Sequence, residues 1–468
     1  MSGAVPADAD VVVVGAGVAG LAVAHDLARS GVSVVVCDAA DQVGGLLRRG
    51  TLAGLDVDLG AESFATRTDA VAAVIADAGL PLEIVAPRPG GAHLAVAADA
   101  GAALSVVRAP LPRRTVLGIP ADPLAADVVE LIGAEAAARV AAEVDLPADG
   151  GEEPSLFALV AARCGEVLAT RVVDTLCRSV YSRPAADVRL SALHPGLWRA
   201  YREQGSLVRA AGLVAQDARA GAAVAGIAGG MWRLPDALAR AAVVQGARVL
   251  TGTAVRRVSG TRPDGFVVHT DAGSVAARRV VVGAGPAASA RLVGAHPSDA
   301  PSGGRVRVVA AAVDHRGLDS FPVGSGVIVD PVLPTAAKAL THVSAKWSWA
   351  AEAAPAGRHI VRLSARDADA PGLADAADVA RELSLLTGLE ILPADIVATI
   401  VQDWPDAVAA GGTDALRDAA AARGLDLAGA VVAGTGLAAV LPHARALAAA
   451  LVADAASAPF SSRPSVTI

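Results

Sequence analysis

The sequence predicts an α/β protein built on a Rossmann-like nucleotide-binding domain that is assembled from separated parts of the chain. Three observations carry this. A Val-rich stretch, a GxGxxG turn and an Ala/Leu-rich segment open the chain in that order. Val-rich stretches followed by glycine turns recur at 278–290 and 427–444. Between the first two, from residue 92 to residue 205, Ala, Leu and Val recur at helical spacing.

Val11 to Val14 read as a buried strand. Gly15, Gly17 and Gly20, with Ala16, Val18 and Ala19 between them, form the GxGxxG turn. Leu21 to Arg29 continue as a helix, Gly31 ends it, and Val32 to Cys37 make a second strand that stops at Asp38. The glycines permit a tight turn, close approach of the backbone to a pyrophosphate, and helix–strand packing. The helix N-terminus adds N–H donors and the positive end of its dipole. Asp38 stands where a carboxylate accepts ribose hydroxyls. A second glycine turn, Gly44-Gly45, follows at once, and then DVDLGAESF at 56–64. Gly60, Ala61, Glu62 and Ser63 would bring backbone to the flavin side, so the pattern points to FAD, a cofactor wrapped along its whole length.

RRVVVGAGPAASA at 278–290 admits two readings, a strand closing the FAD domain or an NADPH site. Pro286 and the lack of a carboxylate at the right distance favour the strand. In AGAVVAGTGLAAVLPHARALAAAL, Val431 to Ala433 read as a strand, Gly434 to Gly436 as a turn and Leu437 onward as a helix whose N-terminus could face the flavin ring.

Composition narrows the function classes. At 468 residues the chain is long enough for two or three domains. A net charge of -7 leaves no basic footprint for nucleic acid. Three cysteines without a CxxC pair, and nine scattered histidines, point to no metal site, and fit a reducing cytoplasm. The mean hydropathy of +0.49 is high, but its apolar runs are interrupted by Gly429, Gly434, Gly436 and Pro442, so no membrane span is predicted. The first ten residues are acidic and are not a signal peptide.

THVSAKWSW at 341–349 concentrates rare residues: two of the five tryptophans, and one of only two lysines. Period-two spacing predicts an amphipathic strand. Val343, Ala345, Trp347 and Trp349 would face one way, and His342, Ser344, Lys346 and Ser348 the other.

Taken together, the motifs resemble the oxygen-dependent porphyrinogen oxidases. The resemblance rests on the N-terminal fingerprint with LGAESFATR, PLPRRTVLGIPAD (110–122), SVYSRPAADVRLSALHP (179–195), GGMWRLPDALARA (229–241), GSGVIV (324–329), THVSAKWSW, DWPDA (403–407) and VAGTGLAAVLPHARAL (432–447). It implies a discontinuous FAD-binding domain (1–85, 223–298, 403–455), a mixed-sheet substrate domain (86–95, 206–222, 299–402), a helical capping domain (96–205) and a tail (456–468). It carries FAD contacts onto Gly15 to Gly20, Asp38, Ala39, Gly60 to Ser63, Val255, Trp404, Gly434, Thr435, Leu437, Ala438 and Ala439. Gly326 and Ile328 would line the substrate cavity, Trp347 would pack its base, and Lys346 would face a propionate. Arg88, Arg113, Arg114 and Arg178 are further candidates for propionates, because a guanidinium fork matches a carboxylate.

The activity implied is oxidation of a porphyrinogen to a porphyrin, with O2 reoxidising the flavin and H2O2 formed. No catalytic base is assigned. Coproporphyrinogen III, with four propionates, is the expected substrate, and protoporphyrinogen IX the alternative. A second alternative is an FAD- or porphyrin-binding protein without turnover, since DAVAAGGTDAL replaces the family's usual residues after Trp404-Pro405. The resemblance also raises an iron chelatase partner. With no aromatic or basic amphipathic stripe in the helical region, a cytoplasmic protein with at most weak membrane contact is expected.

Overall fold

A computed structural model describes residues 5, 8–97, 106–147, 151–180, 183–215, 224–299, 303–365, 373–409 and 413–457. Strand β1 (Asp8–Val14) lies between β2 (Val34–Cys37) and β3 (Gly273–Val282), parallel to both. Arg248–Leu250 extends this sheet beyond β2, and an antiparallel ribbon, Gly265–Thr270 with Val255–Thr261, extends it beyond β3. The strands are Val-rich because both faces are covered. Helix α1 (Val18–Arg29) packs on one face and is itself roofed by Arg233–Val244 and by α2 (Leu437–Ser457), which explains why it is buried on nearly every side. Among the described residues, Leu437–Ala455 is the one helix long and apolar enough to cross a membrane. Its Val440, Leu441, Ala444, Ala448 and Leu451 belong to the core shared with α1.

The second sheet contains β4 (Gly303–Asp314), β5 (Gly326–Val329), β6 (Ala337–His342), β7 (Arg358–Ala365) and β8 (Ile396–Ala409). Its order is β8-β4-β7-β6-β5, followed by His93–Ala97 and Val106–Pro110. It is mixed, since His93–Ala97 runs parallel to β5 while the other neighbours are antiparallel. Val361, Leu363 and Ala365 pack under the helix Ala376–Thr387 on one face. Ala310, Ala312 and Ile360 face the other way, onto Leu52, Val57 and Leu59 of the nucleotide domain. The sheet is thereby held against the loop that carries Gly60 to Ser63.

Helices between 126 and 215 form a third layer. Its centre is polar: Glu143 is fully buried, and takes the Arg163 guanidinium, the Ser206 hydroxyl and the N–H groups of Leu207 and Val208 at 2.9 and 3.2 Å. Every oxygen is satisfied, which is the condition for tolerating a buried carboxylate.

Several expectations are corrected. The 341–349 segment is not a strand: β6 ends at His342, and Val343–Lys346 makes a helical turn closed by the Trp347 N–H on the Val343 carbonyl at 2.9 Å. Tertiary contacts override the period-two pattern there. Trp347 is 1% exposed in the core below the sheet, and Ser344 is buried with its hydroxyl accepting the Ile360 N–H at 2.8 Å. Residues 431–433 are also helical, within Ala430–Ala433; the strand is Asp426–Leu427, beside Val281 and Val282, and Gly429 at φ +90° breaks it. Val106–Pro110 pairs with His93–Ala97 and so joins the sheet instead of the 96–205 helical layer, because Ala, Val and Leu suit either state and pairing decides. Leu207–Ala215, assigned to substrate segment 206–222, is a helix whose Leu207, Val208, Ala210 and Ala211 enter the helical core. Residues 216–222 of that segment, Tyr181 and Ser182 of the SVYSRP motif, residues 410–412 and most of the 456–468 tail lie outside the described residues.

Candidate active site

The nucleotide end is built by close backbone approaches. A Cβ on Gly20 would sit 2.0 Å from the Gly15 carbonyl oxygen, and one on Gly15 2.6 Å from that of Gly283. Larger residues at either place would push the fingerprint loop off the sheet. A Cβ on Gly17, the N-cap of α1, would meet nothing within 4 Å, which leaves room beside the start of the helix. Asp38 sits at the carboxyl end of β2, its two oxygens accepting the N–H groups of Ala16 at 2.6 Å and Ala40 at 2.8 Å. Gly44 donates to the Ala16 carbonyl at 2.8 Å, which seats the second glycine turn, with Gly45, on the first. Ala39 is exposed beside Asp38. Val255 is 6% exposed, its side chain in the apolar core with Val258 and Phe266.

The flavin-side loop is equally tight. Ala61 donates to the Leu46 carbonyl at 2.9 Å, and a Cβ on Gly60 would fall 1.8 Å from that oxygen. Trp404 donates its indole N–H to the Leu59 carbonyl at 2.9 Å, which ties β8 to this loop. The next residues hold the strongest electrostatic feature. Lys346 Nζ lies 2.6 Å from Glu62 Oε1, and Arg362 Nη1 lies 3.7 Å from Glu62 Oε2. Arg362 also donates to the Gly60 carbonyl. Burial alone would raise the Glu62 carboxyl, but Lys346 and Arg362 hold it below the usual carboxylate range. Asp58, two residues before Gly60, accepts the N–H groups of Met231 and Trp232 at 2.9 Å each; burial nevertheless pushes it up to about 6.

Lys346 therefore has a protein carboxylate as its partner, and a propionate would have to compete with Glu62 for it. Arg178 is likewise paired, with Asp174 at 2.6 Å. Arg113 and Arg114 are exposed. Arg88 donates its backbone N–H to the Lys346 carbonyl at 2.8 Å, which brings it to the same corner. Gly326 pairs with Thr341, where a Cβ would strike the Leu340 carbonyl oxygen at 2.1 Å, and Ile328 packs against the helical layer. At the C-terminal end, Gly434 and Thr435 are exposed, and Leu437, Ala438 and Ala439 are half-buried in the first turn of α2. Gly434 and Gly436 meet nothing within 4 Å. A Cβ on Gly429 would touch Ala19 at 3.6 Å, so this end lies against α1.

Sequence reasoning missed Asp58 and Arg362. A lone arginine in the apolar run HIVRLSA was the available signal for the second. The arrangement fits a dinucleotide cofactor: room at Gly17, Gly434 and Gly436, a fixed carboxylate at Asp38, and buried atoms without a hydrogen bond, Glu62 Oε2 and Arg362 Nε, on the far side.

Comparison with known proteins agrees. Residues 18–446 match the family described as flavin containing amine oxidoreductase. Coproporphyrinogen III oxidase of Mycobacterium bovis is 31% identical over 419 residues, 85% of this chain and 86% of that protein. The Mycobacterium leprae protein of the same name is 31% identical over 414 residues, with the same coverage. A crystal structure from Exiguobacterium sp. 255-15, provisionally named a protoporphyrinogen oxidase, superposes with a TM-score of 0.78 at 20% identity, covering 97% of this chain and all of that one. That likeness shows the fold. The chain belongs to the flavin-containing amine oxidoreductases, and its cofactor is FAD.

Proposed function

We propose that this protein oxidises a porphyrinogen to a porphyrin, coproporphyrinogen III being the preferred substrate. The observation that carries the proposal is the extent of the match to the mycobacterial coproporphyrinogen III oxidases. At 85% of the chain it extends well beyond what the FAD segments alone could supply.

Bound FAD would supply the two-electron acceptor. The protein's part is to hold, orient and bias. The N–H groups at the start of α1 would take the pyrophosphate, and Asp38 the ribose. Glu62, Lys346 and Arg362 carry one negative and two positive charges in a half-buried cluster, so their sum favours negative charge developing beside the loop 60–63. The sheet face with Ala310, Ala312 and Ile360 excludes water from that side. The proposal extends to O2 as final acceptor with H2O2 as product, to cytoplasmic residence with weak membrane contact, and to an iron-inserting chelatase as the partner that consumes the porphyrin.

The test is aerobic turnover of the purified yellow protein with coproporphyrinogen III and protoporphyrinogen IX in parallel, followed by porphyrin fluorescence and oxygen uptake. Faster fluorescence gain with the four-propionate substrate is expected. Faster gain with protoporphyrinogen would keep the reaction and overturn the substrate. No gain above autoxidation, despite bound FAD, would leave a binding protein without turnover.

A further inference from the structure

A sheet edge is a row of backbone donors and acceptors that another chain can join, and proteins guard it with charge, proline, bulges or brevity. The two large sheets here show these guards at three of their ends. The FAD sheet stops at Arg248–Leu250, three residues long with Arg248 exposed, and at Val255–Thr261, where Arg256 and Arg257 are exposed and the ladder is bulged. The second sheet stops on one side at Val106–Pro110, five residues with Arg108 in the middle and Pro110 at the end.

Its other edge is β8, 14 residues long, and there the guards are missing. Among the described residues, β8 has β4 on one side and no strand on the other. The run Ile396–Gln402, IVATIVQ, holds no charge, proline or glycine, and Ile396, Val397, Thr399, Ile400 and Val401 are β-branched. Ala398–Trp404 pairs with Val306–Ala312 without a bulge, so the outer edge is a regular row. The run alone is about 23 Å long. Val397 and Val401 are each 44% exposed, and Thr399 between them is exposed too. Uncharged β-branched runs of this length pair readily with a further strand.

Charge decides which strand fits. Asp395 stands at the start of the run. At its far end Arg307 pairs with Asp403 at 2.8 Å, and Arg305 lies close enough to lower the Asp403 carboxyl further. Two cations and one carboxylate leave that end positive, so the two ends are opposite in sign. A second copy of the same strand, lying antiparallel about a two-fold axis in the middle of the run, brings each acidic end to the other's basic end. It also sets exposed β-branched side chains of both copies beside one another.

We propose that the free edge of β8 is a homodimer interface, through which two copies pair antiparallel along Ile396–Gln402 and join their second sheets into one. The contact is isologous, so it closes at two copies and leaves that edge covered.

The test is sedimentation velocity of the FAD-loaded protein across about 0.5–50 μM, where a dimer is expected. Val397→Lys/Val401→Lys puts lysines from both copies along the seam and should raise the dissociation constant at least about 100-fold. The flavin-to-protein absorbance ratio and the circular dichroism spectrum should stay as in wild type, since both side chains are exposed in the single chain. Arg305→Glu reverses the sign of one end and should raise the constant about 10-fold. A wild-type chain that stays monomeric would overturn the proposal and leave the edge to an extended segment of another protein. A dimer that persists with both lysines in place would overturn it by putting the contact on another face. An Arg305→Glu constant equal to that of wild type would overturn the antiparallel arrangement.

Discussion

Lys346 and Glu62, 284 positions apart in the chain, meet at 2.6 Å across the junction between the substrate sheet and the FAD domain. Both side chains are largely shielded, at 14% and 15% exposure, and Arg362 completes the group from β7. Neither charge could be left there alone. The pair therefore couples the helical turn after β6 to the loop Gly60–Ser63, and the position of one domain depends on the other's charge.

Lys346→Met should cost about 2–4 kcal/mol of unfolding free energy, because Glu62 keeps its burial and retains as a cation only Arg362, at 3.7 Å. The double variant Lys346→Met/Glu62→Gln should recover about half of that. Urea unfolding of the four proteins in the cycle measures it. A single variant as stable as wild type would show that the pair is solvated in solution.

Gly60→Ala should abolish FAD retention while leaving the helical content intact. The added methyl would meet the Leu46 carbonyl oxygen at 1.8 Å, and backbone cannot swing aside as a side chain can. Gly285→Ala is the control, since a Cβ there meets nothing within 4 Å and the residue has no positive φ. The absorbance ratio of bound flavin to protein decides between them, and equal ratios would refute the argument.

What could be read beforehand follows from where the information lies. The segment Asp8 to Asp38 is specified locally: its strand, glycine turn and helix each carry their own pattern, so the α/β fold and the FAD end were legible. The turn at Val343–Lys346 is specified from elsewhere in the chain, by Glu62, Ile360 and the core that receives Trp347. No local period could reveal it. Asp426–Leu427 is so short that the Val-rich stretch after it looked the better strand, although Gly429 excludes that stretch from the sheet. Lys346 was recognised as unusual, but its carboxylate partner could be found only in three dimensions.

Glu143→Ala should destabilise the helical layer by about 3–5 kcal/mol, since Arg163 would remain buried and lose its carboxylate, and the N–H groups of Leu207 and Val208 would lose theirs. Glu143→Gln keeps one acceptor and should cost less. Thermal unfolding by circular dichroism separates the two. The prediction fails if both melt with wild type.

Acid should weaken this protein through His342, by a contribution with a definite sign. Burial first, and the neighbouring His359 second, bring its imidazole from the ordinary 6.5 down to about 3. The unfolded chain takes up a proton near pH 6.5 that the folded chain refuses until about pH 3. The stability His342 contributes is therefore whole above 6.5 and is lost as the pH falls, by up to about 1.4 kcal/mol per pH unit. Asp58 pulls the other way: its folded value, raised to about 6, makes its contribution fade as the pH rises from 3.8 through 6. The two are separated by comparing wild type with His342→Phe, in which the Asp58 contribution is common to both. Urea unfolding between about pH 6.5 and 4.5 should show the gap between them narrowing as the pH falls, by about 2 kcal/mol or more over that range. A gap that stays constant would mean that His342 ionises in the folded chain as freely as in water, and that its ring, edge-on to Phe321, is open to solvent.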